Sequence, residues 1–243
     1  MVNKITATVL ANLFPHYCIL CGLHSRQPVP LCLDCQGGLQ ANHVCCRRCA
    51  IPLPPLPDNT TLRVCGACLQ SPPAFQRVIA PWLYDEQLAY IIHQWKYHGA
   101  TRLTPLLASL WLRHLSNLTP VDLIIPVPLH WRRLWHRGFN QSDLLCQQLC
   151  SRHPALAPSM LERRLVRRVR ATAAQSASNA KQRASNLRGA FTVCRPCDNL
   201  RIAIVDDVLT TGATASAMAG TLRAAGASHI EVWCLARTPA PGP

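Results

Sequence analysis

Four Cys-x-x-Cys pairs fall within 51 residues: Cys18/Cys21, Cys32/Cys35, Cys46/Cys49 and Cys65/Cys68. Each pair is a knuckle that turns two thiolates toward one ion, and two knuckles complete a tetrahedral set. The intervals are 10 residues between Cys21 and Cys32 and 15 between Cys49 and Cys65, both of a length that suits a zinc ribbon. A dithiol redox motif needs only one such pair. The spacing therefore predicts two Zn2+ ions, one on Cys18, Cys21, Cys32 and Cys35, the other on Cys46, Cys49, Cys65 and Cys68. A cross-braced pairing stays open, because spacing does not exclude it. Four thiolates per ion leave no position for water, so both sites read as structural. A segment of ~50 residues with little core needs such staples to fold. Cys45 precedes Cys46 directly and is the alternative ligand. Cys194 and Cys197 form a fifth pair with no partner pair nearby and read as a loop feature. Cys146, Cys150 and Cys234 read as small core residues.

The rest of the composition narrows the class. Nine of the 14 Cys precede residue 70 in a chain of 243 residues, a length that fits one or two domains. With 49% hydrophobic and 15% charged residues, the chain can bury a core. No apolar run approaches the ~18 residues of a membrane span, and the N-terminus lacks the apolar core and cleavage site of a secretory signal. A cytoplasmic, reducing location is the expectation, and there clustered cysteines bind metal more often than they form disulfides. The formal net charge is +14, and 22 of the 25 basic residues are Arg. Arg is suited to bidentate phosphate contacts; a coding bias that also enriches Ala is the competing explanation.

The pattern changes at Ser71-Pro72-Pro73, which divides the chain into a double zinc-ribbon domain, residues 1–75, and a second domain, residues 76–243. In the second, strands are expected at 77–84, 123–127, 191–194, 202–205 and 230–235, and helices at 85–97, 103–115, 140–150 and 214–225. Asn140 is the predicted N-cap of the third helix. This alternation predicts an α/β fold with a mostly parallel sheet flanked by helices.

The segment RIAIVDDVLTTGATASAM, residues 201–218, carries the most chemistry. An apolar strand ends in Asp206 and Asp207, a small hydroxyl-rich turn follows, and a helix opens. Backbone N–H groups, the helix N-terminus and the hydroxyls of Thr210, Thr211 and Thr214 make an anion cradle, and Gly212 permits a close backbone approach. The carboxylates stand where α/β sheets bind ligands, placed to accept bonds from vicinal hydroxyls. A P-loop is excluded, because the Gly-Lys-Ser/Thr ending is missing.

This segment resembles the phosphoribosyl-pyrophosphate (PRPP) motif of type I phosphoribosyltransferases. The resemblance implies that Asp206 and Asp207 contact ribose hydroxyls, that Val208, Leu209, Thr210, Thr211, Gly212, Ala213 and Thr214 form the phosphate loop, and that Mg2+ accompanies PRPP. Further segments are similar to the ComF/GntX family: PVPL at 126–129, RGFNQ at 137–141, Lys96-Tyr97, Thr172, Gln175, Arg183, Asn186 and Ala190-Phe191. Members of that family join a double zinc ribbon to a phosphoribosyltransferase-like domain and are associated with competence and with use of external DNA. The resemblance implies a pyrophosphate loop at 128–133, with Arg132, Arg133, Arg137 and Lys96 as diphosphate contacts, and a flexible loop at 163–182. His130 and His136 flank that site. Trp131 and Trp135 are expected as partly buried loop anchors, with base stacking as the alternative.

Two features weigh against turnover. Purine phosphoribosyltransferases carry an acid three residues after the second motif acid, where this chain has Thr210. After the last strand only a short tail remains, too short for a base-recognising hood. The resemblance therefore leaves three readings open: a DNA-handling protein that binds a PRPP-like ligand, an active phosphoribosyltransferase, or a PRPP sensor without turnover. Residues 163–188 contain eight basic residues and no acid. Such density suits the diphosphate of PRPP, a nucleic-acid backbone or both; the resemblance implies single-stranded DNA, with Arg163, Arg164, Arg167, Arg168, Arg170, Lys181 and Arg183 as the candidates, and proteins of the DNA-uptake machinery as the expected further partners.

Overall fold

The computed structural model describes residues 16–55, 63–115, 118–170, 187 and 189–240. Lys181, Arg183, Thr172, Gln175 and Asn186 lie outside the described residues. The second domain is built on one parallel sheet. Its strands are β1 (Arg77–Ile79), β2 (Trp82–Leu83), β3 (Leu123–Pro126), β6 (Arg201–Leu209) and β7 (His229–Arg237). The order is β3-β6-β7-β1, and β2 continues beside β7. Ile202, Ala203, Ile204 and Val205 are fully buried. Such an unbroken apolar run suits a central parallel strand, covered on both faces. A two-stranded antiparallel sheet, β4 (Val166–Arg168) with β5 (Phe191–Val193), stands beside it.

Helices cover the sheet. Those of the first domain are short: α1 (Leu33–Gly37) and α2 (Gly66–Gln70). Next come α3 (Glu86–Tyr97), α4 (Thr104–Leu112), α5 (Trp131–Arg137), α6 (Gln141–Arg152) and α7 (Ala213–Ala224). The Asp85 side chain caps α3 by accepting from Leu88 N at 2.8 Å. Asn140 caps α6, as its sequence predicts, by accepting from Ser142 N at 3.0 Å. One core layer packs Trp95, Trp111 and the leucines of α4 against the sheet, and the other packs Met218 and Leu222 of α7. No helix of the described residues is long and apolar enough to cross a membrane.

The structure departs from the sequence expectation in four places. The strand expected over 77–84 is interrupted at Ala80-Pro81. Proline has no N–H to give the ladder, yet the register runs on, from Ile79 opposite Trp233 to Trp82 opposite Ala236. The carbonyls freed there are taken by the first domain: Asn42 N donates to Pro81 O at 2.7 Å and Asn42 Nδ2 to Ala80 O at 3.0 Å. Next, β6 runs four residues past Val205, because β7 pairs with it as far as Leu209 opposite Arg237. Val208 and Leu209, expected in the phosphate loop, are thus strand residues, and the turn begins at Thr210. Finally, the second half of the expected pyrophosphate loop, residues 131–133, belongs to the helix α5. The His130 ring nitrogen accepts from Arg132 N at 3.3 Å at its start, and Gly138, at φ +80°, closes its end. The expected helix over 103–115 is also shorter, with a single 3₁₀ turn, Thr101–Leu103, before α4.

Candidate functional site

The cysteine knuckles come together in sequential order. Cys18, Cys21, Cys32 and Cys35 form one group and Cys46, Cys49, Cys65 and Cys68 the other, the sulfurs of each within 4.8 Å of one another. This excludes cross-bracing. Cys21 and Cys32 Sγ are 3.8 Å apart, and Cys49 and Cys65 Sγ 3.7 Å. A tetrahedron with Zn–S bonds of ~2.3 Å has an edge of about 3.8 Å, and these two distances match it. Burial raises the Cys18 and Cys46 thiols. Backbone N–H groups of Cys21 and Cys32, and of Cys49 and Cys65, overcome it and bring them to about 6 and about 7. Thiols so lowered are ready to ligate. Cys45 belongs to neither group. All eight positions are taken by protein, so the ions would serve as staples.

The second centre is at the C-terminal edge of the parallel sheet. Asp207 is 4% exposed and ion-paired with Lys96, from the last turn of α3. Gln141 Nε2 donates to Asp207 Oδ1 at 3.5 Å, and Ser142 Oγ donates to Asp206 Oδ1 at 3.2 Å. Both donors stand in the first turn of α6. Burial raises Asp207, but the Lys96 ammonium outweighs it and holds the carboxyl below its ordinary value. Burial lowers Lys96, but Asp207 and Asp206 outweigh it and raise the ammonium. Asp206 gets the opposite treatment: burial first, then the Asp207 charge, push its carboxyl up to about 8. One aspartate is kept ionised and its neighbour kept protonated.

A basic cleft of about 360 Å³ opens beside this pair, lined by Lys96, Tyr97, Gly99, Arg132, Arg133, His136 and Arg137. All four bases assigned to a diphosphate thus meet in one place. Arg137 is held over the Tyr97 ring at 5.2 Å and donates to Gln141 Oε1 at 2.6 Å. Gln141 therefore links the cleft to the carboxylates. Arg168 of β4 sits over the Phe191 ring, and burial and the Arg133 charge lower its guanidinium while Asp206 opposes them. It belongs with this centre. Of the other bases first assigned to DNA, Arg163 is paired with Asp143 at 2.6 Å, while Arg164, Arg167 and Arg170 are exposed.

The turn after β6, residues 210–212, leads into α7. Gly212 is at φ +76°, and Thr210 and Thr211 are exposed. Arg237, at the end of β7, braces this turn from behind. It is 6% exposed, and its guanidinium donates to Leu209 O at 2.9 Å, to Thr210 O, to Thr238 O at 2.7 Å and to Cys49 O at 3.0 Å. One buried side chain joins the second cysteine group to the turn. Sequence reasoning missed Arg237 and Ser142, assigned Arg168 to DNA, and named Tyr97 only within the Lys96-Tyr97 segment of the family resemblance. Gln141 had a signal, as the last residue of RGFNQ.

A double zinc ribbon domain family matches residues 9–69. Over the longer span, the chain is 39% identical to the DNA utilization protein YhgH of Salmonella typhi across 227 residues, 91% of this chain and 90% of that protein. It is 34% identical to competence protein F of Haemophilus influenzae across 239 residues, 94% of this chain and all of that protein. The chain belongs to the ComF/GntX family. Competence protein ComFC of Bacillus subtilis is a more distant relative, 22% identical over 76% of this chain. In this ComF/GntX chain, the residues gathered at the sheet edge come from segments 96–97, 132–142 and 206–207.

Two outcomes follow from this geometry. Arg237→Met leaves the Cys49, Thr210 and Thr238 carbonyls without this donor, while Leu209 O keeps Thr238 N. At about 1–3 kcal/mol for an unsatisfied buried group, denaturant unfolding should show a loss of roughly 2–4 kcal/mol. Unchanged stability would mean that the brace carries no energy. Asp206 concerns pH: its folded pKa lies above its unfolded one, so it favours the folded state least above pH 8. Stability should therefore fall as pH rises from about 4 to about 8. Asp206→Asn should flatten that slope in melting curves; a variant with the wild-type slope would contradict the assignment.

Proposed function

We propose that the chain binds Mg2+-PRPP or a close phosphoribosyl relative at the edge of the parallel sheet and acts on single-stranded DNA in its uptake or utilization. The observation that carries the ligand reading is the Asp206–Asp207 pair at the end of β6, with Lys96 behind it and a Thr/Gly turn ahead of it. A carboxylate whose charge is fixed by Lys96 can accept from a sugar hydroxyl, and a protonated neighbour can donate to or accept from the next. The N–H groups of residues 211–214 and the Thr210 and Thr211 hydroxyls suit a phosphate monoester. Lys96, Arg132, Arg133 and Arg137 suit the diphosphate, and Mg2+ would supply further neutralisation there.

The names of the relatives support the DNA reading, as does the net charge of +14. Thr210, where a purine enzyme has its acid, supports ligand binding without base transfer. The reducing interior of a cell suits eight metal-binding thiols.

Two measurements test the proposal. At about a hundredfold saturation, Mg2+-PRPP should raise the melting temperature by roughly 5 °C or more. The double variant Asp206→Asn, Asp207→Asn should lose most of that rise. Fluorescence anisotropy with a labelled single strand should show binding that weakens roughly fiftyfold from about 50 to about 200 mM salt, for about four neutralised phosphates. No stabilisation by PRPP would remove the ligand assignment, and no binding at low salt would remove the DNA assignment.

A further inference from the structure

The chain has six tryptophans, and the fold treats them in two ways. Trp82, Trp95, Trp111 and Trp233 are 0–7% exposed in the core. Trp131 and Trp135, expected as partly buried anchors, are 65% and 85% exposed. They stand four residues apart on α5, hence on one side of it and about 6 Å apart along its axis. Leu134 beside them is 42% exposed, and Tyr97, on the neighbouring end of α3, is 64% exposed. Large rings presented to solvent in this way mark an interaction surface.

The charge around the rings says what the surface fits. Arg132, Arg133 and Arg137 alternate with them, His136 adds a fourth nitrogen base, and residues 123–142 contain no acid. Arg132 lies over the Trp131 ring at 5.3 Å and Arg137 over the Tyr97 ring at 5.2 Å. Rings interleaved with guanidinium groups match a polymer whose flat apolar faces alternate with negative charges. Unpaired nucleobases have such faces free; in a duplex they are covered by stacking. We infer that α5 is a stacking platform for single-stranded DNA, with bases on Trp131 and Trp135 and the backbone following Arg132 toward the basic cleft. This rests on the DNA reading above and moves its centre from the Arg-rich segment 163–183 to the mouth of the proposed PRPP site. A strand so held would run past that site.

The test uses the full chain and a labelled oligothymidylate at low salt. Trp131→Ala with Trp135→Ala should weaken binding by about thirtyfold or more, while Trp131→Phe with Trp135→Phe should keep most of it. Both side chains are exposed, so the variants should fold, and an unchanged PRPP melting shift confirms an intact cleft. Wild-type intrinsic fluorescence should be quenched by the strand, and the Ala variant should lose that quenching. A less than threefold change in the Ala variant overturns the platform while leaving DNA binding intact. Absence of binding by the wild type overturns instead the reading on which it rests. If the Ala variant loses binding to phosphatidylglycerol vesicles but keeps its affinity for the strand, the platform serves a membrane surface and the inference is wrong.

Discussion

Two adjacent carboxyl groups at the buried end of a central strand set the main constraint on this molecule. Charging both in a poorly solvated place is costly, and leaving both neutral would abandon the polarity that makes the edge useful. The fold solves this with one cation. Lys96 reaches from the end of α3 to Asp207 and holds that carboxyl below its ordinary value, while burial and the Asp207 charge raise Asp206. Everything near the site is arranged around that asymmetry. The first turn of α6 supplies Gln141 and Ser142 as donors, and Gln141 passes the arrangement on to Arg137 and so to the basic cleft.

A second constraint is that the metal-stapled domain has to hold position against the sheet. Two side chains do much of this. Asn42 donates to Ala50 O, next to the Cys46/Cys49 knuckle, and to Ala80 O at the break between β1 and β2. Arg237 joins Cys49 O to the turn after β6. A cavity of about 490 Å³ lies between the second cysteine group and that turn, and Arg237 lines it. The second cysteine group is therefore fastened to the turn after β6 through Arg237, so the first domain supports the geometry of the edge as well as its own fold.

Much of this was legible in the sequence. The cysteine spacing gave both tetrahedral groups, and the run of Ile202, Ala203, Ile204 and Val205 marked a strand buried on both sides. The acids, the glycine and the threonines that follow raised the expectation of an anion site, which stands as the proposal above. What escaped has physical reasons. A seven-residue helix such as α5 has too few residues for a period to stand out, and its cap is a histidine, an unusual N-cap. The extension of β6 is decided by its partner strand. Arg237 and Asn42 are single polar residues whose importance comes from carbonyls distant in the chain. The exposure of Trp131 and Trp135 goes against the general tendency of tryptophan to be largely buried.

The claim on which the rest depends is that the edge of this sheet is a phosphoribosyl site. A crystal structure of the protein with Mg2+ and PRPP, or its non-reactive analogue, tests it most directly. The account predicts the ribose hydroxyls on Asp206 and Asp207, the 5′-phosphate against residues 210–214, and the diphosphate toward Lys96 and the α5 arginines. Ligand bound elsewhere, or an empty edge at saturating concentration, would contradict it.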